Sequence, residues 1–354
     1  MGNKSWLVFY VSSHGFGHMT RCLAIMEELL EKTNVSIYVA SGEYQNGFAR
    51  TYLVRFKGRV IFRNLETDVG LVNIPNSLNV DADRLEKKLL DFVASWDRMV
   101  EEELRFLRNL NIDTVISDIS PIGVLVGEKL GVRNIGVSNF TWVEQYEHLG
   151  ISEEIIASFR STYAKLDVFI EYDLMLPTNG LTVPKRRIDF ISRRIDSERV
   201  AQIKKQYGKS IFITCGKSAN LENIHIENFD GCIFTTCGIE ISSNARVVQL
   251  PISVLDTQNY VAASDVVIAK AGWGTISEAV LGKTNLVLLE REGVLEDTHN
   301  INELKNRGVA ISIKESGLRH LDMRMIERGV GEMIARENLE KYKNSVEMLC
   351  NYCF

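Results

Sequence analysis

Residues 12–21 read Ser-Ser-His-Gly-Phe-Gly-His-Met-Thr-Arg and directly follow the apolar run 6–11. A short apolar strand that ends in a glycine-rich turn and opens into a helix presents free backbone N–H groups at the carboxyl edge of a sheet. A second turn of this kind, Lys-Ala-Gly-Trp-Gly-Thr-Ile-Ser-Glu at 270–278, lies in the other half of the chain. The two turns predict an α/β protein with two Rossmann-like domains that face each other across a cleft.

The composition is typical of a globular protein and excludes several classes. The chain has 354 residues, a length that is enough for two domains. Of these residues, 45% are hydrophobic and 25% are charged, which are ordinary values for a globular protein. A net charge of −5 argues against nucleic-acid binding, which needs a basic face. No apolar run reaches the roughly 18 residues of a membrane span, and no room for a signal peptide precedes the first strand. We therefore expect a cytoplasmic protein.

The cysteine pattern fits a reducing compartment. Cys350 and Cys353 have the spacing of a metal or redox pair, but they stand without a second pair or a nearby histidine. The pattern favours a reduced pair on a loose tail and predicts no metal site. The other cysteines are Cys22, Cys215, Cys232 and Cys237.

Apolar runs alternate with helical patterns, as in βαβ units with parallel sheets. The first half predicts strands at 6–11, 35–40, 60–64, 114–117, 134–137 and 168–170. The second half predicts strands at 210–214, 232–235, 247–250, 266–269, 286–289 and 310–313. Helices are expected near 198–206, 256–263, 275–282, 297–306 and 320–334. The predicted domains are 1–190 and 196–335, followed by a last helix within 336–354 that can return to the first domain.

Two further segments carry structural predictions. Apolar residues recur at helical spacing over 81–110, which predicts one long helix capped by Asp81 or Asp83. The stretch 173–197 interrupts the alternation of strands and helices and contains a basic cluster. Such a cluster can face an acidic ligand or an anionic lipid surface, but we interpret this one as a solvated linker between the domains. That cluster comprises Lys185, Arg186, Arg187, Arg193 and Arg194.

In the first domain, His18 is the candidate general base. A histidine near a helix start at the ligand edge of a sheet can accept a proton from a bound hydroxyl, and the pKa of free imidazole, about 6.5, suits that task. Asp118 follows a strand at the same edge and can orient the imidazole. The alternative is that Asp118 only caps the helix that starts near Pro121 and that His18 only bonds the backbone. His14 and Gly17 complete the acceptor side, where His14 either touches substrate or supports the loop.

In the second domain, the turn around Gly272 and Gly274 is a candidate anion site. The backbone N–H groups of Gly274, Thr275 and Ile276 would face phosphates, and Glu278 would accept hydrogen bonds from a ribose diol. The alternative is an ordinary turn with Glu278 on the surface.

A neighbouring loop after the first strand of this domain supplies Gly216 and Ser218 as further phosphate contacts, and Lys217 or Lys270 can add charge. Polar residues at 296–300 can read sugar hydroxyls, although Asp297 or Thr298 can also simply cap a helix. The dinucleotide fingerprint G-x-G-x-x-G and the phosphate-loop pattern are absent, so neither a nicotinamide cofactor nor a P-loop kinase is expected.

Taken together, these features resemble glycosyltransferases of the GT-B fold. The G-x-G-H turn with a later acidic residue resembles the inverting enzymes of natural-product glucosylation, which implies His18 as base and Asp118 as its partner. The segment 269–279 resembles the donor loop of the peptidoglycan N-acetylglucosaminyltransferases and, more closely, the transferase-like domain of plant arabinose kinases. This resemblance implies that Glu278 holds the ribose and that His299 and Asn300 contact the sugar.

The resemblance has limits. Phe16-Gly17 replaces the Gly-Gly of the peptidoglycan enzymes, and their two sugar-binding glutamines are unmatched, so the resemblance does not imply N-acetylglucosamine as the donor sugar. By analogy, the backbone near Pro251 and Ile252 would read the base. Residues 17–24 are similar to the first motif of the UDP-sugar hydrolase of pseudaminic acid synthesis, in which water is the acceptor.

The sequence therefore predicts an inverting, metal-independent glycosyltransferase without a cofactor. Its donor would be a nucleoside diphosphate sugar, with UDP expected, and its acceptor a small molecule, a lipid or a glycan. A nucleotide-sugar hydrolase and a non-catalytic nucleotide-sugar-binding protein are the alternatives. Contact with a membrane surface stays open.

Overall fold

The computed structural model describes residues 5–74, 80–178, 180–215 and 221–354, without the side chains of 221–223. The chain forms two compact units. The first consists of Met1–Asn73, Val80–Asp189 and the C-terminal segment Ser345–Phe354, and the second is mainly Phe190–Asn344.

The first unit is built on a seven-stranded, wholly parallel sheet in the order β3-β2-β1-β4-β5-β6-β7. The six strands predicted for this half are all confirmed. The strands are β1 Ser5–Val11, β2 Ser36–Ser41, β3 Val60–Asn64, β4 Asn111–Asp118, β5 Arg133–Ser138, β6 Val168–Glu171 and β7 Lys185–Arg187. The helices are α1 Gly17–Lys32, α2 Glu43–Tyr52, α3 Ala82–Ala94, α4 Trp96–Leu107, α5 Pro121–Leu130, α6 Trp142–His148 and α7 Glu153–Tyr163.

The strand order of this sheet indicates where the first unit can bind a ligand. The order reverses between β1 and β4, and parallel α/β sheets bind ligands at the carboxyl ends of the strands that flank such a switch point. Helix α5 packs closely there, because a Cβ at Gly123 would lie 2.3 Å from Ser117 Oγ and 2.5 Å from Tyr10 Cβ. The glycine lets the helix approach the sheet.

The predicted long helix over 81–110 is wrong in one respect: it is two helices, α3 and α4, that meet at Ser95. Ser95 Oγ donates back to the Phe92 carbonyl at 2.7 Å, a local hydrogen bond that competes with helix continuation. Asp81 caps α3 as expected, since its side chain accepts a hydrogen bond from the Arg84 N–H.

One polar residue, Glu103, interrupts the apolar face of α4, and side chains of the sheet donate hydrogen bonds to its carboxylate. Glu103 is fully buried and accepts hydrogen bonds from Tyr10 Oη at 2.8 Å and Tyr38 Oη at 2.9 Å. Arg63 Nε donates to its other oxygen at 3.2 Å. The group therefore ties α4 to three adjacent strands.

The second unit contains a six-stranded parallel sheet in the order β12-β10-β8-β13-β14-β15, and all six predicted strands are confirmed. Its strand order reverses between β8 and β13. The strands are β8 Ser210–Thr214, β10 Cys232–Thr235, β12 Arg246–Gln249, β13 Val266–Lys270, β14 Asn285–Glu290 and β15 Ala310–Lys314. The main helices are α8 Ser197–Tyr207, α9 Thr257–Ala263, α10 Trp273–Leu281, α11 Leu295–Asn306 and α12 Met323–Met333.

A second, three-stranded parallel sheet in this unit was not predicted. Its strands are β9 Leu221–Glu227, β11 Ile239–Ser243 and β16 His320–Asp322, in the order β11-β9-β16. Ile224, Ile226 and Leu321 bury their side chains in the same hydrophobic cluster as the main sheet. The strands are short, and the polar residues between their apolar positions obscured the pattern.

The basic stretch before the second unit is not a solvated linker. Lys185, Arg186 and Arg187 form the edge strand β7, and Arg193 is buried with 1% of its surface exposed. Arg194 is exposed, as expected.

The C-terminal segment differs from the single helix predicted over 336–354. It forms α13 Arg336–Glu340 and α14 Val346–Tyr352, and α14 packs against α1 of the first unit. Cys350 and Cys353 are buried, so the prediction of a loose tail is wrong. Cys350 Sγ lies 3.8 Å from the Ile25 carbonyl, and the Cys353 carbonyl accepts a hydrogen bond from Thr114 Oγ1 at 3.0 Å.

Among the described residues, no helix is both long and apolar enough to cross a membrane.

Candidate active site

Strand β1 and helix α1 position the candidate base of the first unit. β1 ends at Val11, and α1 begins at Gly17, so His18 is the second residue of the helix. Only 8% of the His18 surface is exposed, whereas Gly17 beside it is exposed. The imidazole therefore lies next to a central strand of the sheet, at its carboxyl end.

Asp118, the last residue of the adjacent strand β4, lies within hydrogen-bond distance of His18. The distance from His18 Nδ1 to Asp118 Oδ1 is 3.0 Å, and Asp118 is fully buried. The alternative role of Asp118 as a helix cap does not hold, because Ser120 caps α5 by accepting a hydrogen bond from the Gly123 N–H at 3.3 Å.

Arg21, one helical turn after His18, binds the same carboxylate through two nitrogens. Its Nε donates to Asp118 Oδ2 at 2.6 Å, and its Nη2 donates to Oδ1. Burial raises the pKa of Asp118, but the nearby charges of Arg21 and His18 lower it by more, so that this pKa lies well below its usual range. Asp118 is therefore a carboxylate at neutral pH.

The turn after Asp118 is strained. Ile119 has a φ of 49°, in the left-handed region that β-branched residues rarely adopt. Its side chain is buried, and its carbonyl accepts a hydrogen bond from Tyr163 Oη at 2.8 Å. Strain of this kind costs about 1–3 kcal/mol and clusters at functional sites, where the surroundings hold the backbone.

A second buried carboxyl group at this edge, Asp68, was missed by the sequence analysis. It accepts hydrogen bonds from the Ser13 N–H at 2.9 Å and from Trp142 Nε1 at 3.0 Å. Burial raises the pKa of Asp68 above its ordinary value, and hydrogen bonds together with the charge of His18 offset part of this rise. The available signal was its position shortly after β3, at the carboxyl end of the sheet.

His14 supports the loop. Its Nδ1 accepts a hydrogen bond from the Leu71 N–H at 3.4 Å, and its ring centroid lies 6.0 Å from that of Trp142 in an edge-to-face contact. Gly70 has a φ of 67°, and a Cβ there would lie 2.3 Å from His14 Nδ1. Gly70 is therefore required for this packing.

In the second unit, the glycine turn starts helix α10 earlier than predicted. Gly272 is the N-cap, so Trp273, Gly274 and Thr275 form the first turn, where backbone N–H groups have no partner within the helix. The Ile276 N–H, predicted as a phosphate donor, instead donates to the Gly272 carbonyl at 3.2 Å. Among the residues that the structure describes, no atom lies within 4 Å of a Cβ built at Gly272, which leaves room for a ligand at this turn.

Glu278 is buried, with 8% of its surface exposed, so the alternative of a surface position is wrong. Its Oε1 accepts hydrogen bonds from Arg193 Nε at 3.1 Å and Nη2 at 2.8 Å. Arg193 also donates to the Leu255 carbonyl at 2.5 Å and to Thr257 Oγ1 at 3.0 Å. No sequence signal linked Arg193 to Glu278, because the two are 85 positions apart.

Helix α11 contacts the same turn. Asn300 is fully buried, and its Nδ2 donates to the Ala271 carbonyl at 2.9 Å. Within the described part of the chain, its Oδ1 has no hydrogen-bond partner. His299 is partly exposed beside it. Neither Asp297 nor Thr298 caps the helix, which begins earlier, after Val294.

Two cationic side chains lie at the carboxyl ends of β13 and β14. Arg291 pairs with the buried Asp297 through Nε at 2.5 Å and Nη2 at 2.7 Å. Burial, followed by the positive charge of Arg291, lowers the pKa of Lys270 to about 8. An anionic ligand at this edge would favour the charged form of Lys270.

Three of the residues predicted for the donor side, Gly216, Lys217 and Ser218, lie outside the described residues. Ile252, in the loop after β12, has 57% of its surface exposed. In the described ranges, no group of three or more histidine, cysteine, aspartate or glutamate residues could hold a metal ion. The structure thus brings together His18 with Asp118, and Glu278 and Asn300 with the glycine turn.

Comparison with known proteins decides the family. The model of glycosyl transferase family 1 matches residues 6–332. The chain belongs to this family. Among curated proteins, it is 24% identical over 319 residues to L-arabinokinase of Arabidopsis thaliana, covering 84% of this chain. The chain spans only 29% of the length of that relative. It is 23% identical to an uncharacterized glycosyltransferase of Methanosarcina acetivorans, covering 97% of this chain and 93% of the relative.

Solved structures confirm the GT-B fold. SnogD, a glycosyltransferase of Streptomyces nogalater, matches with a TM-score of 0.64 at 14% identity, covering 99% of this chain and 98% of that one. UGT2 of Phytolacca americana, solved with UDP-2-fluoro-glucose and pterostilbene, has a TM-score of 0.61 at 13% identity, with coverages of 99% and 94%. MurG of Acinetobacter baumannii has a TM-score of 0.53 at 13% identity, covering 99% of both chains. The predicted resemblances to the arabinose kinases and to the peptidoglycan transferases are thus confirmed.

Proposed function

We propose that this protein is an inverting, metal-independent glycosyltransferase that moves a sugar from a UDP-linked donor to an acceptor hydroxyl. The observation that carries the proposal is the pairing of His18 Nδ1 with Asp118 Oδ1 at 3.0 Å, at the switch point of the first sheet, in a member of this family. A UDP donor is supported by relatives such as the Phytolacca enzyme, which was solved with a UDP-sugar analogue.

In the proposed reaction, the acceptor oxygen attacks the anomeric carbon from the face opposite the diphosphate. The acceptor proton passes to Nε2 of His18, the ring nitrogen that does not face Asp118. The bond between the anomeric carbon and the diphosphate oxygen breaks, and its electron pair leaves on the diphosphate. Asp118 holds the imidazole in orientation and stabilises the imidazolium that forms.

The second unit would bind the donor. The backbone N–H groups of Gly274 and Thr275, in the first turn of α10, would hold the diphosphate beside Gly272, and Gly216 and Ser218 would be further phosphate contacts. Lys270 and Arg291 would stabilise the negative charge that develops as the diphosphate leaves, so that no divalent ion is required.

The remaining donor contacts extend from the same turn. Glu278 accepts the hydrogen bonds of Arg193 through Oε1, so that its Oε2 would accept hydrogen bonds from the ribose diol. The backbone near Ile252 would recognise the base. His299 would face the sugar directly. Asn300 would act through the Ala271 carbonyl that it holds at 2.9 Å. The six cysteines are all free, which fits a reducing compartment such as the cytoplasm.

The proposal predicts selective stabilisation by one class of nucleotide sugar. The purified chain is melted alone and with UDP-, TDP-, GDP- and ADP-linked sugars, with free uridine as the control for base binding alone. A true donor at 100 times its dissociation constant should stabilise the folded state by about 2.7 kcal/mol, which gives a clear rise in melting temperature. The absence of a shift with every nucleotide sugar would count against both transfer and hydrolysis.

A further inference from the structure

Residues 190–196, which we call the strap, are the first residues of the second unit after the chain leaves the first, and they form neither helix nor strand. The side chains of 190–193 are nevertheless buried. Phe190 packs against two rings, with centroid distances of 5.7 Å to Trp273 and 5.3 Å to Tyr342. Because the strap belongs to no helix or strand, other elements must hold its buried backbone.

Two side chains of the second unit hold the strap before Arg193. Ser277 Oγ donates to the Ile191 carbonyl at 2.5 Å. Asn344 bonds Ser192 twice: its Oδ1 accepts from the N–H at 3.4 Å, and its Nδ2 donates to the carbonyl at 2.8 Å. Asn344 is also the last residue of the second unit before the chain returns to the first, so the segments at both crossings are bonded to each other.

Two neighbouring side chains on helix α9 hold the strap after Arg193. Gln258 Nε2 donates to the Arg194 carbonyl at 3.1 Å. Asn259 Oδ1 accepts a hydrogen bond from the Asp196 N–H at 2.9 Å. The backbone is therefore fixed on both sides of Arg193, and detachment of the strap would withdraw the guanidinium group from its partners.

Arg193 connects the strap to two parts of the proposed donor site. It binds Glu278 Oε1 through two nitrogens, and it donates to the Leu255 carbonyl in the loop after β12, where we place the base contact. While the strap is docked, the carboxylate and this loop have fixed positions. When the strap detaches, both regain conformational freedom, and a donor would then have to order them on binding, which weakens its affinity.

We propose that donor binding stabilises the docked strap, and that Ser277 and Asn344 are the positioning residues that hold the strap so that Arg193 reaches Glu278. This inference rests on the proposed function, because it takes Glu278 as a donor contact. The coupling is reciprocal: the factor by which docking of the strap improves donor affinity equals the factor by which saturating donor disfavours its detachment.

Trypsin measures the detachment of the strap. Arg194 is exposed, but its neighbours on the N-terminal side are buried, so the chain can enter a protease only after the strap has opened. Cleavage after Arg193 or Arg194 is followed by mass spectrometry at a low trypsin concentration, where the rate follows the population of the open form.

The first comparison is made without donor. Ser277→Ala and Asn344→Ala each remove hydrogen bonds that hold the strap, so each should speed its cleavage about 2- to 10-fold. Asn338→Ala is the matched control, because it removes a side-chain bond to the Gly308 carbonyl at 3.3 Å outside the strap, and it should leave the rate unchanged.

The second comparison adds the UDP-sugar that raises the melting temperature. At saturation it should slow strap cleavage in wild type by about 10-fold, equivalent to a coupling of about 1.4 kcal/mol. The rate should reach a plateau as the donor concentration rises, whereas cleavage through global unfolding would keep slowing. In the double variant Arg193→Met with Glu278→Leu, which lacks the connection, saturating donor should leave the rate unchanged.

Three results would overturn the inference: wild-type cleavage rates in Asn344→Ala, a donor that raises the melting temperature but leaves strap cleavage unchanged, or a rate that falls without a plateau. Asn344→Ala decides the first comparison if Ser277→Ala does not fold. A melting shift without slower cleavage would leave the proposed function intact. The absence of a melting shift with every nucleotide sugar would instead remove the proposed function, and this inference with it.

Discussion

His18→Ala is expected to lower turnover by about 10²–10⁴-fold, the usual contribution of a positioned general base. Affinity for the donor should stay close to that of wild type, because the donor contacts that we propose are all made by the second unit. Turnover is measured as release of the nucleoside diphosphate under saturating donor, and affinity by the melting shift.

The matched control is His148→Ala, at the exposed end of α6, which should leave both quantities unchanged. Near-normal turnover in His18→Ala would remove this residue as the base. A parallel loss of donor affinity would indicate instead that the substitution disturbs the fold.

Glu278→Ala is expected to have the second large effect, on stability and on donor binding together. It leaves the Arg193 guanidinium buried without its carboxylate partner, and removal of one member of such a pair costs about 3–5 kcal/mol. The free energy of unfolding is measured by denaturant titration in the absence of donor. Glu278→Gln keeps an acceptor for Arg193 and should cost much less.

The ribose contact is separated from the ion pair with the double variant Arg193→Met with Glu278→Leu. Apolar replacement of both members of a buried pair is often neutral for stability, so this variant should fold close to normally. Its dissociation constant for the donor should still rise about 10- to 100-fold, equivalent to about 1.4–2.8 kcal/mol. Wild-type donor affinity in this variant would exclude the ribose role, and full stability in Glu278→Ala would exclude the ion pair as a stabilising element.

The sheets could be predicted because each strand is a short apolar run between turn residues. Buried parallel strands such as β1 and β13 expose neither face to water, and their sequences are therefore nearly continuous in apolar residues. The break between α3 and α4 escaped prediction because Ser95 fits within a helical pattern, and its bond to the Phe92 carbonyl is visible only in the structure. The small sheet of β9, β11 and β16 depends on pairing between distant segments.

The candidate site likewise contains residues that the topology of the sheet places and residues that only the complete fold brings together. His18 and Asp118 were expected near each other because Asp118 ends a parallel strand and His18 opens the helix that follows another parallel strand, so that both lie at the carboxyl edge of the sheet. Arg193 was misinterpreted because it lies among exposed basic residues, and only the fold brings it to Glu278. Arg21 carried a usable signal, since residues three apart on a helix share a face, but the sequence could not show that it binds Asp118.

Transfer and hydrolysis differ only in the acceptor, and both should invert the anomeric carbon. If the donor is consumed without any added acceptor, and if added hydroxyl compounds do not increase the rate, the result favours the hydrolase. A rate that rises with one class of hydroxyl compound would favour transfer.

The anomeric configuration of the first product tests the central claim most directly. The α-linked UDP-sugar that stabilises the chain is supplied as the donor, and the product is followed by proton NMR before the free sugar can equilibrate. We expect the β-anomer from wild type and a loss of its formation in His18→Ala. An α-product would contradict single-displacement chemistry with His18 as the base.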